Sequence, residues 1–91
     1  EALRRLHADP GLDGDALNRA EAALAPFRQR GIAFTALRTR RAGASAFVQV
    51  TVRVPGDWSV RSGHACLDEV EAALRTALPG AEVITHLEPL P

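Results

Sequence analysis

Apolar positions in this chain recur with a helical period in two stretches and with a period of two in another. From Asp15 onward, Leu17, Ala20, Leu24 and Phe27 follow one another at spacings of three, four and three. That is the stripe of an amphipathic helix, and Asp15 is a good residue to open it. Arg28 and Arg30 suit the helix C-terminus, and Gly31 suits the position after it. Pro26 removes a backbone donor and is expected to bend or tighten the last turn. A second stripe, Val60, Leu67, Val70, Leu74 and Leu78, predicts another helix. Ser59 can cap it, and Pro79-Gly80 stops it.

Between the stripes, Ala46, Val48, Val50, Val52 and Val54 alternate with Phe47, Gln49, Thr51 and Arg53. This predicts a half-buried strand, ended by Pro55-Gly56-Asp57. Ile32 to Arg40 contains β-formers but alternates imperfectly, and the intervening Arg41 to Ser45 is short enough for a hairpin. Val83 to Glu88 reads as a third strand, ended by Pro89. The order is helix, strand, strand, helix, strand. A three-stranded mixed sheet with both helices on one face buries every stripe. The expected fold class is therefore α+β of the ferredoxin-like kind. Ahead of it, Leu3 and Leu6 make a short amphipathic piece that Pro10-Gly11 and Asp13-Gly14 break. The chain accordingly divides into a lead-in over 1–14 and a domain over 15–91.

Composition narrows the partners. A chain of 91 residues predicts one domain, and one this small buries only about 60–65% of its unfolded surface. Four aromatic residues leave the core to Val, Leu, Ile and Ala, so a dimer would be a natural way to add buried surface. The net charge of zero argues against nucleic acid as a partner. Cys66 is the only cysteine, so no intrachain disulfide forms and a reducing compartment fits. No apolar run approaches the ~20 residues of a membrane span. The chain opens on Glu1 rather than Met, which suggests a piece of a longer protein whose membrane part, if any, lies elsewhere.

Candidate chemistry is concentrated in Thr85-His86-Leu87-Glu88-Pro89. On a strand, His86 and Glu88 share a face. They can share a divalent cation, or they can be a solvated pair on an edge strand. His64 falls in the first turns of the second helix, with Asp68 one turn on. If the start of that helix lay close to the end of the third strand, His64, His86 and Glu88 would make a three-ligand zinc site. His7 reads as solvated and Cys66 as a small core residue. Arg38-Thr39-Arg40-Arg41 is a basic run at the hairpin, open to phosphate, anionic lipid or an acidic partner, or simply solvated. No phosphate-binding glycine loop, CxxC, nucleophile elbow or HExxH is present, so the chain is not expected to be an enzyme.

Taken in order, Gly31 to Arg40, Phe47 to Val52, Val54 to Val60, Gly63-His64, Val70-Glu71 and Thr85 to Pro89 resemble the cytoplasmic C-terminal domain of cation diffusion facilitators. The resemblance covers roughly Asp15 to Pro89. It implies two helices on a three-stranded mixed sheet and a homodimer on the cytoplasmic side of a membrane. A transmembrane part of the same chain would carry the transport site. It also implies that cytoplasmic Zn²⁺ or another divalent transition metal binds the domain and draws the protomers together. His64, His86 and Glu88 match family ligand positions. Thr35 and Thr51 stand where many relatives carry histidine, and Gln49 lies near where some carry aspartate. Threonine is a poor zinc ligand beside imidazole, so the family's two-metal site is incomplete here. Two further readings stay open: a metal-independent dimerisation domain, and an unrelated ferredoxin-like module that binds a ligand or partner.

Overall fold

The computed structural model describes residues 14–91, in which α1 (Gly14–Arg28), β1 (Ala33–Ala42), β2 (Ser45–Val54), α2 (Val60–Ala77) and β3 (Glu82–Pro89) follow in order. The expected lead-in, His7 included, lies outside those residues except for Gly14. The strands form one mixed sheet in the order β1-β2-β3. β1 and β2 pair antiparallel, whereas β2 and β3 pair parallel with α2 as the crossover. Both helices pack on the same side, which is the α+β arrangement that the sequence pattern predicts.

Local chemistry sets the helix ends. At the end of α1, the Ile32 amide donates to the Phe27 carbonyl (3.2 Å) and the Gly31 amide to the Arg28 carbonyl (3.0 Å). Gly31 takes φ 89°, so this is a Schellman closure that a side-chain-bearing residue would strain. It lays Ile32 against Phe27, both buried. At the start of α2, the Ser59 hydroxyl accepts from the Ser62 amide at 3.0 Å, as expected of a cap. Pro26 lies inside α1, two residues from its end.

The core joins one face of β2 to both helices. Val48, Val50, Val52 and Val54 are at most 5% exposed, and they meet Ala20 and Leu24 of α1 and Cys66, Val70 and Leu74 of α2. Two expected core positions are corrected. Leu17 is 39% exposed, because α1 buries Ala16, Ala20, Leu24 and Phe27 instead. Only the first position of the stripe moves, from Leu17 to Ala16, while Ala20, Leu24 and Phe27 are buried as expected. Val60 is 76% exposed because it precedes the buried series Gly63, Cys66, Val70 and Leu74.

The imperfect alternation of β1 also has a cause. Thr35 pairs with Thr51 and Arg38 with Gln49, so Ala36 and Leu37 together oppose Val50. Ala36 takes φ 57° in this β-bulge. The extra residue shifts the phase, so Thr35, Arg38 and Arg40 all face the side of the sheet that carries no helix. β1 begins one residue later than expected and runs two residues further, and β3 is one residue longer at each end.

Candidate metal centre

Parallel pairing of β2 with β3 places Thr51 beside His86 and Arg53 beside Glu88. Antiparallel pairing of β1 with β2 adds Thr35 beside Thr51 and Ala33 beside Arg53. The helix-free face therefore carries two adjacent rows, Thr35–Thr51–His86 and Ala33–Arg53–Glu88. Neighbouring strands lie about 4.8 Å apart, so side chains along a row can meet. The two positions where the family resemblance leads one to expect histidine fall in one row with His86.

His86 and Glu88 are brought together. Nε2 of His86 lies 3.0 Å from Oε2 of Glu88. A carboxylate only accepts, so the proton in this contact is on Nε2. The His86 side chain is 68% exposed and that of Glu88 39%, so the pair is open to solvent. Two ligands on one tetrahedral zinc, each about 2.1 Å from it, stand about 3.4 Å apart. The observed pair would need to open by only a few tenths of an ångström and release the Nε2 proton.

Sequence reasoning missed Arg53. Its Nη2 lies 2.9 Å from Oε1 of Glu88, and its Nη1 donates to the Pro89 carbonyl at 3.0 Å. The guanidinium thus holds the oxygen of Glu88 that His86 does not. Arg53 precedes Glu88 by 35 positions, and only the parallel register makes them neighbours. The one signal in the sequence is that Arg53 sits in the polar phase of an otherwise valine-rich strand.

His64 stands on the other side of the sheet, on α2, and is exposed. The start of α2 nonetheless packs tightly on the end of β3, since a Cβ at Gly63 would meet Cδ2 of Leu87 at 2.9 Å. A larger residue there would require the end of the Leu87 side chain to shift. This packing places His64 one residue from a contact with Leu87, which lies between His86 and Glu88 on an edge strand. Among the described residues, no three His, Cys, Asp or Glu side chains converge to hold a metal. His64 and Asp68, one helical turn apart, are both exposed and share no hydrogen bond.

Cys66 is excluded from this chemistry. It is 2% exposed on the helix-covered side. Burial pushes its thiol above the usual range, Arg30 pulls it partly back and Glu69 adds to the rise. On the same open face, Phe47 and Ile84 border a hollow of about 270 Å³ with Arg40, Ala42 and Gln49. Ile84 is 44% exposed there. No helix among the described residues is long and apolar enough to cross a membrane.

Comparison with known proteins agrees with this geometry. Residues 12–90 match the family described as cation efflux protein, cytoplasmic domain. An uncharacterized transporter of Synechocystis is 37% identical over 82 residues, which are 90% of this chain and 26% of that protein. This chain thus spans about a quarter of that relative's length. The solved structure of CzrB, named as a zinc transporter, superposes with a TM-score of 0.78 at 36% identity, covering 89% of this chain and 100% of that one. A zinc form of CzrB superposes with a TM-score of 0.77 at 38% identity, covering 89% and 92%. On its sequence match across nearly its whole length and on its fold, this chain belongs to the family of cytoplasmic domains of cation efflux proteins.

Proposed function

We propose that this chain is the dimerising, metal-responsive domain of a divalent-cation efflux transporter, with zinc as the cation it senses. The observation that carries the reading is the His86–Glu88 pair, 3.0 Å apart on the helix-free face and in register with Thr51 and Thr35. The zinc form of CzrB, 38% identical, lends it weight. His86 and Glu88 would hold the ion, and His64 would add a third ligand around the edge of β3 or from a second protomer. The exposed Ile84 and neighbouring Phe47 give that face apolar surface for a second copy. The remainder of the transporter, a membrane part in the same chain, would carry the transport site. In this reading the domain performs no catalysis.

Bringing the ion in requires two local changes. His86 must give up the Nε2 proton, leaving its other nitrogen protonated, and Glu88 must turn one oxygen from imidazole to metal. Arg53 keeps the other oxygen and so fixes the carboxylate's orientation while lowering its donor strength. These opposing effects favour a weak site. They also keep a second reading alive: a metal-independent dimerisation scaffold in which Arg53 and Glu88 are a structural clasp.

Calorimetric zinc titration of the purified chain, beside His86→Ala, separates the two. The metal-responsive reading expects saturable heat that His86→Ala abolishes, with a more compact dimer by small-angle scattering. Equal heats from both proteins would remove His86 from the site. A dimer whose scattering is unchanged by zinc would favour the scaffold.

A further inference from the structure

The arginines of this molecule fall into two groups. Arg19, Arg28, Arg30, Arg53 and Arg75 each pair with a carboxylate. Among the described residues Arg38, Arg40, Arg41 and Arg61 pair with none. Three of those four sit together on the β1–β2 hairpin. Residues 31–56 carry four arginines and no carboxylate, whereas residues 57–91 carry two arginines against six carboxylates. A net charge of zero therefore conceals a division along the chain, which the fold bridges at one point by placing Glu82 in the row of Phe47 and Arg40. Every residue from Arg40 to Ser45 is exposed, so the charged end of the hairpin projects from the body.

The position of that end matters. A hollow of about 510 Å³ is lined by Ala16 and Arg19 of α1, Arg41 and Ala44 of the hairpin, and Pro79 after α2. The hairpin end thus stands beside the first turns of α1, where the chain enters the fold. The His86–Glu88 pair is about 20 Å from the hairpin tip along the sheet, while Arg38 stands in the row next to that of His86 on the same face. Arg38 and Arg40 face the helix-free side and Arg41 the other. A broad layer of negative charge can meet guanidinium groups on both sides of a projecting tip, while a pocket-sized anion meets only one. Phe47, which pairs with Arg40, is the one aromatic side chain beside these arginines among the described residues, too little for a stacking platform.

We propose that the Arg38–Arg40–Arg41 end of the hairpin docks on an anionic lipid surface and holds the domain against the membrane at the end where the chain enters it. This rests on the reading of the chain as a domain of a membrane transporter whose spanning part precedes it. Guanidinium groups bind headgroup phosphate bidentately. Each arginine near an anionic leaflet strengthens attachment about fivefold. Three give about a hundredfold, weak for a free domain and ample for one tethered at the surface.

The test is sedimentation of the purified chain with vesicles of mixed phosphatidylglycerol and phosphatidylcholine, and with phosphatidylcholine alone. Binding is expected only to the mixed vesicles, and it should vanish at about 1 M salt, where screening acts over about 3 Å. Replacing Arg38, Arg40 and Arg41 together by serine should weaken it about a hundredfold. Replacement by lysine should retain it, which keeps the test valid should the serine variant fold poorly by circular dichroism. Arg61→Ser, next to Val60, which lines a hollow with Pro89 away from the hairpin end, should change nothing. Equal binding by the wild type and the triple serine variant overturns the proposal, as does an equal loss in Arg61→Ser. Self-association that the serine variant abolishes, without vesicle binding, overturns it in favour of a second copy's carboxylate-rich half. Vesicle binding lost with an intact zinc response sinks this inference alone. A missing zinc response with intact vesicle binding sinks the metal reading alone.

Discussion

The two faces of β2 are built from the same ten residues and do opposite work. Toward the helices, Val48, Val50, Val52 and Val54 are buried and touch only apolar groups. Toward the open side, Phe47, Gln49, Thr51 and Arg53 share rows with Arg40, Arg38, Thr35, His86 and Glu88. The buried face stabilises the fold, and its only fully buried titrating group is the Cys66 thiol, while part-buried Glu71 accepts from the Thr85 hydroxyl at its border. The open face carries the His86–Glu88 pair and Arg53, and is expected to contribute less to stability. Because strand geometry alternates strictly, one residue can be changed on one face without touching the other. The division can therefore be tested one face at a time.

The largest effect should come from the buried face. Leu74 is fully buried where α2 meets the sheet. Leu74→Ala should cost about 2–5 kcal/mol in urea unfolding, while Gln49→Ala on the open face should stay within about 0.5 kcal/mol. The zinc heat per folded molecule should be unchanged in both. A Gln49→Ala cost comparable to that of Leu74→Ala would mean that the open face also supports the fold, and the comparison would fail.

A smaller and opposite effect should come from completing the row beside His86. Thr51→His places a second imidazole directly across from His86 on the neighbouring strand. Zinc affinity should rise about tenfold or more, which is about 1.4 kcal/mol, with the unfolding midpoint in the absence of zinc nearly unmoved. Calorimetry on this variant and on the double change Thr51→His with His86→Ala checks it. If the double variant keeps the gain, position 51 acts without His86 and the row is not the site.

What the sequence disclosed follows the same division. The valine alternation of β2 and the Gly31 and Ser59 caps were legible because each rests on local geometry. The phases of both helices were misjudged near their starts, at Leu17 and Val60. There the sequence offered a large apolar residue, and the packing chose a small one, Ala16 and Gly63. The bulge at Ala36 was visible only as broken alternation, since nothing about an alanine announces φ 57°. His86 and Glu88 were legible as a pair because they are two residues apart. Arg53 was not, because its bond to Glu88 depends on a parallel register created by the whole crossover through α2. Local pairs announce themselves in sequence, and rows across a sheet do not.

The finest test concerns the one soft metal ligand that the fold keeps away from the open face. Cys66 is buried in the core at the wall of a hollow that it shares with Arg30 and Glu69, and burial raises its thiol above the ordinary 9.0, against a partly opposing pull from Arg30. In the unfolded chain the thiol loses its proton first as pH rises, so ionisation there favours unfolding. The stabilisation is complete below the ordinary thiol range and declines as pH climbs through the folded-state value. The sequence makes this slope unusually clean, because it contains no lysine and no tyrosine to titrate in the same window. Urea midpoints should fall as pH is raised beyond 9.0 in the wild type, and the fall should be shallower in Cys66→Ala, which starts from a lower baseline. At neutral pH, iodoacetamide should label Cys66 only as fast as the chain opens. Parallel slopes for the two proteins, or rapid labelling of the native fold, would show that the helix-covered face admits chemistry after all. The thiol would then have to be counted among the groups within reach of zinc.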